Sequence, residues 1–399
     1  AGLIATGCEV IDIGILPTPT IQLAVEKFNA QGGIAITASH NSIDWNALIF
    51  IRADGMFLNA YQGEELLDIF HEENFRKSSW TEIKPITQEY TIPQQVHLDA
   101  ILSYFDTAAI KTKRFKVALD SCNGAASLIT QQLLKELGCE IVAINIDPES
   151  PFPRDPEPTV AQLSPLRQLV QSSRADIGFA QDADGDRLAI IDETGVPIGE
   201  EYTLALMAEY WLSYCERGPV VTNYSTTRVL DDITRKYNVP LIRTKVGDIH
   251  VLEAMKNHHA VLGGEGNGGI CIPKIHYSQD SLAAIAAILH YLTVAQEKTS
   301  VLVNKLPQYK IVKRKIICPP EKVHYVLLEI TEMAKTGLLN SKLGTVEFTD
   351  GIRIVWDDAW IHIRPSGTEP IVRIISEAQS EPQALALTEA VIKNIRKYL

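Results

Sequence analysis

A multidomain α/β protein is predicted by three observations. Apolar runs of strand length alternate with helix-length amphipathic stretches in three consecutive blocks of about 100 residues each. A fourth block changes to hairpins flanked by two helices, and 399 residues are too many for one ordinary domain. The expected division is 1–93, 94–197, 198–307 and 308–399, with three α/β domains and a C-terminal α+β domain.

In the first block, residues 1–6 read as the tail of a helix, so the chain is expected to start inside a domain. Val10–Ile15 reads as a strand, Ile21–Asn29 as a helix, Gly33–Thr37 and Leu48–Arg52 as strands, and Glu64–Glu73 as a helix. Ala53-Asp54-Gly55 is a hairpin signal that joins Leu48–Arg52 to Met56–Leu58. Polar, turn-rich sequence from about 76 to 95 reads as a linker.

The second block predicts strands at Phe115–Leu119, Glu140–Ile146 and Ile177–Ala180, with helices Ala125–Leu137 and Leu166–Ser173 between them. That order favours a parallel sheet with right-handed crossovers. Five prolines between Asp147 and Pro158 exclude regular structure there. The third block repeats the alternation, with helices at Tyr202–Tyr214, Arg228–Tyr237, Ile249–Asn257 and Ser281–Ala295. Its strands are Val220–Thr222, Leu241–Thr244 and Ala260–Leu262. The fourth has strands at Lys310–Ile317, Thr345–Phe348, Ile352–Trp356, Trp360–Ile363 and Val372–Ser376, between helices Val323–Thr336 and Gln383–Leu399. The hairpin through Asp350-Gly351 marks its sheet as antiparallel.

Composition narrows the function classes. A formal net charge of −12 disfavours nonspecific nucleic-acid binding, while leaving room for an anionic small substrate held by local positive charge. No apolar run approaches the roughly 20 residues that span a bilayer. The six cysteines are scattered without CxxC spacing, which argues against a zinc site and for a reducing, cytoplasmic compartment.

Four motifs carry chemistry. Thr37-Ala38-Ser39-His40-Asn41 ends an apolar strand and presents a serine hydroxyl to solvent. The Ser-His dipeptide alone means little, since neighbours in a strand point to opposite faces. Asp182, Asp184 and Asp186 alternate in a segment that, if extended, projects all three carboxylates to one side. Such a cluster repels itself unless a cation sits in it, and oxygen ligands suit Mg²⁺; the alternative is a solvated acidic turn. The glycine-rich run 263–269 carries Glu265 and Asn267, which can hydrogen-bond vicinal sugar hydroxyls, although a plain flexible loop has the same composition. Arg364, Ser366, Gly367 and Thr368 form a phosphate-binding nest between two strands, with Arg373 as a second cation; a proline-bounded turn is the alternative. Together the four fit one reaction, in which a phosphoryl group on Ser39 passes to a phosphosugar hydroxyl.

In this order and spacing the motifs resemble the α-D-phosphohexomutase family, over nearly the whole chain. The resemblance implies mixed sheets, four domains around a central cleft, and phosphoryl transfer between C6 and C1 of a hexose or hexosamine through a bisphosphorylated intermediate. It implies that Ser39 is the phosphoserine. Asp182, Asp184 and Asp186, with the Ser39 phosphoryl oxygen, then hold Mg²⁺, and Arg187 and His40 sit beside them. Lys245, in Thr244-Lys245-Val246-Gly247-Asp248, becomes a phosphate or acid/base contact. Glu265 and Asn267 read the sugar, and Arg364, Ser366 and Thr368 grip the non-reacting phosphate. A hexose 1,6-bisphosphate is the implied activator, and the protein is expected as a monomer or homodimer. Asn267 and Gly269 are closer to phosphoglucosamine and phosphomannose mutases than to dedicated phosphoglucomutases.

Two departures stand out. Ile49 occupies the position where the family has an acid/base lysine, at a typical cost of about 10²–10⁴ in rate. The family's N-terminal segment has no counterpart before Ala1. A noncatalytic sugar-phosphate-binding paralogue and a slow phosphatase are therefore the competing expectations.

Overall fold

The structure is a computed structural model that describes residues 1–41, 43–73, 75–336, 344–366 and 370–396. It divides into two compact units: residues 1–207 with 267–303, and residues 208–266 with 304–399.

The first unit begins with the helix Gly2–Ala5 and a short parallel pair, Ile11–Asp12 with Thr87–Gln88. The helix Thr18–Lys27 starts on Pro17 and carries Pro19 in its first turn, where a missing N–H costs nothing. Its Val25 packs with Ala35 and Ile51 from the antiparallel pair Gly32–Ile36 and Leu48–Arg52. Residues 37–47 connect those two strands and carry Ser39.

The linker expected at 76–95 is shorter than its composition implies. It contains the strand Thr87–Gln88, and a helix runs from Ile92 to Tyr104. Pro93 lies in the helix's first turn, where proline is favoured, and His97, Leu98 and Ile101 are buried behind it.

The second sheet of this unit has the order Glu140–Ile144, Lys116–Asp120, Ile177–Gln181, Leu188–Ile191. Its first three strands are parallel. The fourth, which the strand-helix alternation did not reveal, runs antiparallel and makes the sheet mixed. Periodicity alone could not identify the buried run Leu188–Ile191 as a strand. The acidic segment 182–187 is thus the turn of a β-hairpin, not extended backbone. Gly185 makes the reversal, at φ +72°, where a β-carbon would also stand 2.8 Å from Ala126.

A buried polar hub ties the unit together. The Asp280 carboxylate meets His97 Nε2 at 2.8 Å and His276 Nε2 at 3.0 Å, and accepts the Leu282 N–H that opens helix Ser281–Ala295. Burial works to raise its pKa. The two imidazoles outweigh this and hold the group well below the usual carboxylate range. Thr20 closes the chain of bonds on His97 Nδ1 at 2.8 Å.

In the second unit the parallel strands Leu241–Thr244, Val220–Asn223 and Leu262–Gly264 lie side by side in that order. Gly263 and Gly264, read from sequence as loop, belong to the last of these strands. Gly263 runs under Met255, whose sulfur leaves no room for a side chain. The C-terminal sheet is antiparallel throughout, ordered Lys310–Ile317, Ile371–Ala378, Ala359–Pro365, Ile352–Val355, Thr345–Glu347. Ile354, Ile361, Ile363 and Ile374 pack against Val326 and Ile330 of helix Val323–Thr336 and Val391 of helix Glu381–Ile395. The final residues of the expected C-terminal helix, 397–399, lie outside the described residues.

His362 is buried on this sheet. Its Nε2 donates to the Asp350 carbonyl at 2.5 Å, so its Nδ1 accepts from the Ser225 hydroxyl at 2.9 Å. Burial first, then the nearby Arg353 and Arg364, lower its pKa from 6.5 to about 4 against the pull of Asp350. The unfolded chain therefore takes up this proton below pH 6.5, while the folded one resists until about 4. The stabilisation is present above pH 6.5 and is lost as the pH falls to about 4, by up to about 3 kcal/mol. In urea unfolding followed by tryptophan fluorescence, His362→Gln should remove that part of the pH slope. An unchanged slope would assign the acid sensitivity to other groups.

Candidate active site

Ser39 stands in the left-handed region at φ +50°, a strained setting for a non-glycine residue. Thr37 fixes the turn, its hydroxyl oxygen accepting the Ser39 N–H at 2.8 Å, and the Asn41 N–H bonds to the Ala38 carbonyl at 3.0 Å. The strand ends at Ile36, so the rule that sets neighbours on opposite faces does not hold here. Instead Ser39 Oγ lies 3.3 Å from His40 Nδ1. The Ser39 hydroxyl also lies near enough to the Asp184 carboxylate to favour its ionised form.

The hairpin turn gathers Asp182, Asp184 and Asp186, with one oxygen from each within 4.8 Å of the others. Its backbone is pinned on several sides. The Thr18 N–H bonds to the Asp184 carbonyl, Ala125 N–H to the Ala183 carbonyl, and Ser281 to the Gly185 carbonyl through both its N–H and its hydroxyl. The Thr18 hydroxyl adds a 2.8 Å bond to Asp184 Oδ2, and the Arg187 N–H one of 3.1 Å to Asp182 Oδ1. Asp182 and Asp184 are 0% and 3% exposed.

Burial, followed by the charge of Asp182, pushes Asp184 up to about 7, although hydroxyls from Thr18 and Ser39 and the charge of Arg187 oppose the rise. Burial and then the charges of Asp182 and Asp184 drive Asp186 well above the ordinary carboxylate range. Each of the three carboxylates keeps one buried oxygen without a hydrogen-bond partner. An all-oxygen donor set with unmatched buried oxygens fits a hard divalent ion such as Mg²⁺. Among the described residues a second cluster, His97, His276 and Asp280, has metal-ligand chemistry, but there the ring nitrogens are already bonded to the carboxylate.

Arg187 borders the acidic turn. Its Nη1 bonds to Glu157 Oε1 at 3.0 Å and its Nη2 meets His40 Nε2 at 3.4 Å. The backbone leaving the turn pairs with the end of the glycine run, since Leu188 N–H donates to the Gly268 carbonyl and Arg187 bridges Gly269. Asn267 uses its side-chain oxygen within this loop, accepting the Gly269 N–H at 3.0 Å.

The remaining candidates belong to the second unit. Glu265 is buried and its Oε1 accepts from Asn223 at 2.7 Å and from the Gly247 N–H at 3.0 Å, which joins it to the turn bearing the exposed Lys245. Asp350 links the same turn to the C-terminal sheet, accepting the Val246 N–H at 3.0 Å and lying 3.6 Å from Arg364 Nε. Arg364 is in strand, not loop, and stands directly opposite Arg373. Two like charges in that register disfavour each other unless an anion or carboxylate intervenes. The Ser366 N–H closes on the Ile371 carbonyl at 2.9 Å; Gly367 and Thr368 lie outside the described residues.

Sequence reading missed three contributors: Thr18, Glu157 and Asp350. Thr18 sits in an ordinary helix start, Glu157 among prolines and Asp350 in a hairpin turn, so each has a sufficient local explanation. Ile49 packs on the cluster of Val25, Ala35 and Ile51.

Comparison with known proteins fits this architecture. Four models of phosphoglucomutase/phosphomannomutase domains match in sequence: the alpha/beta/alpha domains I, II and III at residues 1–77, 95–195 and 199–309, and the C-terminal domain at 320–394. A phosphoglucomutase/phosphomannomutase of Thermococcus kodakarensis is 39% identical over all of this chain and 86% of its own length. A probable phosphoglucosamine mutase of Methanopyrus kandleri is 33% identical with the same coverage. The crystal structure of a phosphoglucomutase/phosphomannomutase family protein from Burkholderia thailandensis superposes with a TM-score of 0.83 at 25% identity, covering 100% of this chain and 84% of that one. The chain belongs to the phosphoglucomutase/phosphomannomutase family. No helix among its described residues is long and apolar enough to cross a membrane.

A pH test follows from the carboxylates. Asp184 rises from 3.8 to about 7, so the cation-free folded state holds its proton more tightly than the unfolded chain. That contribution is fully present below pH 3.8 and is lost as the pH rises through about 7. A divalent ion displaces the proton. Added Mg²⁺ should therefore raise the melting temperature more at pH 7.5 than at pH 5, and Asp184→Asn should remove most of the difference. Equal shifts at both pH values would exclude this cluster as the binding site.

Proposed function

We propose that the protein moves a phosphoryl group between the C6 and C1 oxygens of a hexose or hexosamine phosphate, with Ser39 as the carrier. The observation that carries this reading is the Ser39 hydroxyl held between His40 and a buried carboxylate cluster with unmatched oxygens. In the forward step the bond from phosphorus to Ser39 Oγ breaks as a sugar oxygen bonds to phosphorus, giving a bisphosphorylated sugar. After that intermediate reorients, its other phosphoryl group returns to Ser39.

Asp182, Asp184 and Asp186, together with an oxygen of the Ser39 phosphoryl group, would hold Mg²⁺. When bound, the ion supplies positive charge against the phosphoryl oxygens. His40 presents a ring nitrogen to Ser39 Oγ, and Arg187 adds fixed positive charge on the same side. Glu265 and Asn267 read sugar hydroxyls, with Glu265 oriented by Asn223 and Gly247. Arg364 and Arg373, with Ser366, Gly367 and Thr368, take the phosphate that is not reacting; the facing arginines favour an anion there. Lys245 exchanges the hydroxyl proton or contacts phosphate. The domain division 1–93, 94–197, 198–307 and 308–399 assigns serine, metal, sugar and phosphate functions in turn.

Isoleucine at position 49 neither transfers a proton nor offsets phosphate charge, so turnover is expected to be slow. Glucosamine phosphate or mannose phosphate is the proposed substrate, a hexose 1,6-bisphosphate the activator, and the cytoplasm the compartment, in keeping with six free cysteines. The working state is a monomer or homodimer.

Intact mass spectrometry after incubation with glucose 1,6-bisphosphate should find one phosphoryl group, absent from Ser39→Ala. That variant should also lose ~10³-fold or more of the interconversion of glucosamine 6- and 1-phosphates or of mannose phosphates. Phosphate release without isomerisation would contradict the mutase reading.

A further inference from the structure

Arg187 is close enough to the acidic turn to neutralise it, yet it does not close on it. Its Nε lies 4.0 Å from Asp182 Oδ2 and 3.9 Å from Asp186 Oδ1, beyond hydrogen-bond reach. A guanidinium beside one buried and one partly buried carboxylate ordinarily forms short, charge-assisted bonds. Here the opposite edge of the guanidinium is engaged by Glu157 and His40.

Glu157 is held for this task by a built scaffold. It lies between the buried prolines 156 and 158 on the loop that follows strand Glu140–Ile144. Arg154 staples that loop down: it pairs with the buried Asp120 at 3.2 Å, and donates to the carbonyls of Asp155 and Pro156 at 3.0 Å and of Gln181 at 2.8 Å. Gln181 directly precedes Asp182. One buried arginine therefore fixes both the base of the acidic turn and the loop that carries Glu157.

Arg187 can only donate, so His40 Nε2 must accept from it. This puts the imidazole proton of neutral His40 on Nδ1, the atom 3.3 Å from Ser39 Oγ. In that state His40 donates to the serine oxygen and does not act as its base.

We propose that Glu157 is a positioning residue that holds Arg187 out of the carboxylate cluster, leaving the cluster open to a divalent cation and setting the His40 tautomer that faces Ser39. This deepens the phosphoryl-transfer reading, but the cation part concerns unphosphorylated protein and can be tested apart from it.

The test is Mn²⁺ binding to the unphosphorylated full chain, read by electron paramagnetic resonance, with folding checked by circular dichroism. Glu157→Ala should weaken Mn²⁺ about 10- to 100-fold, the range for loss of a residue that orients metal ligands. In an Arg187→Met background the same substitution should change the affinity less than about threefold. Equal weakening in both backgrounds would show that Glu157 acts by its charge alone, and unchanged affinity in the single variant would show no role; either overturns the proposal. If Glu157→Ala fails to fold, Glu157→Leu in the same pair of backgrounds supplies the same comparison. Nitrogen NMR of His40 should show the Nδ1–H tautomer in the parent and its loss in the single variant, and an unaltered tautomer would remove that half of the inference. Failure of Ser39 to take up phosphate from glucose 1,6-bisphosphate in the parent would instead count against the transfer reading alone.

Discussion

Three carboxylates crowded on one hairpin turn, two of them buried and the third partly so, cannot all remain ionised without a compensating charge. Much of the first unit serves to hold them there. Helix Thr18–Lys27 donates from its first residue to Asp184, helix Ser281–Ala295 donates from its first residue to Gly185, and the turn before helix Ser127–Glu136 holds Ala183. Three helices from distant parts of the sequence thus converge on one six-residue loop. A loop fixed on so many sides cannot relax to relieve its charge, and the result is raised proton affinity and unmatched oxygens. That combination supports the proposed cation site over a plain acidic surface turn.

The hub beneath it solves the opposite electrostatic problem. Asp280 is also buried, but it meets two imidazoles and a backbone N–H, and its charge is stabilised within the protein. It caps the helix whose Ser281 supports Gly185, so a fully satisfied polar network underlies one left incomplete. Removing a partner from the first would strand buried polar groups, whereas the second is completed by adding a charge.

The sequence was most legible where chemistry is local. Helices Ser281–Ala295 and Val323–Thr336 and strand Lys310–Ile317 match their expected bounds because periodicity, caps and turn residues agree there. The alternation of Asp182, Asp184 and Asp186 identified the acidic cluster, although the carboxylates converge through a turn made by Gly185 and not by strand geometry. Contacts across long sequence separations were not legible. Nothing in Pro156-Glu157-Pro158 announces a bond to Arg187, and nothing in Thr18 announces one to Asp184. Ser39 and His40 looked like residues facing apart, because one left-handed residue is enough to reverse that rule and a non-glycine one has no sequence signal. Composition misled in the other direction: the polar, turn-rich stretch 76–95 read as a linker, but its Pro93 occupies the first turn of a helix, which proline favours.

The most direct test of the link between serine and carboxylates is electron–nuclear double resonance on Mn²⁺ bound to protein carrying a phosphoryl group on Ser39. A strong phosphorus hyperfine coupling is expected on the proposal that the phosphoryl oxygen and the three aspartates would hold one ion; Asp184→Asn should weaken or abolish it. Mn²⁺ that binds stoichiometrically to the phosphorylated chain with no phosphorus coupling would contradict the assignment of the acidic turn and Ser39 to a single site.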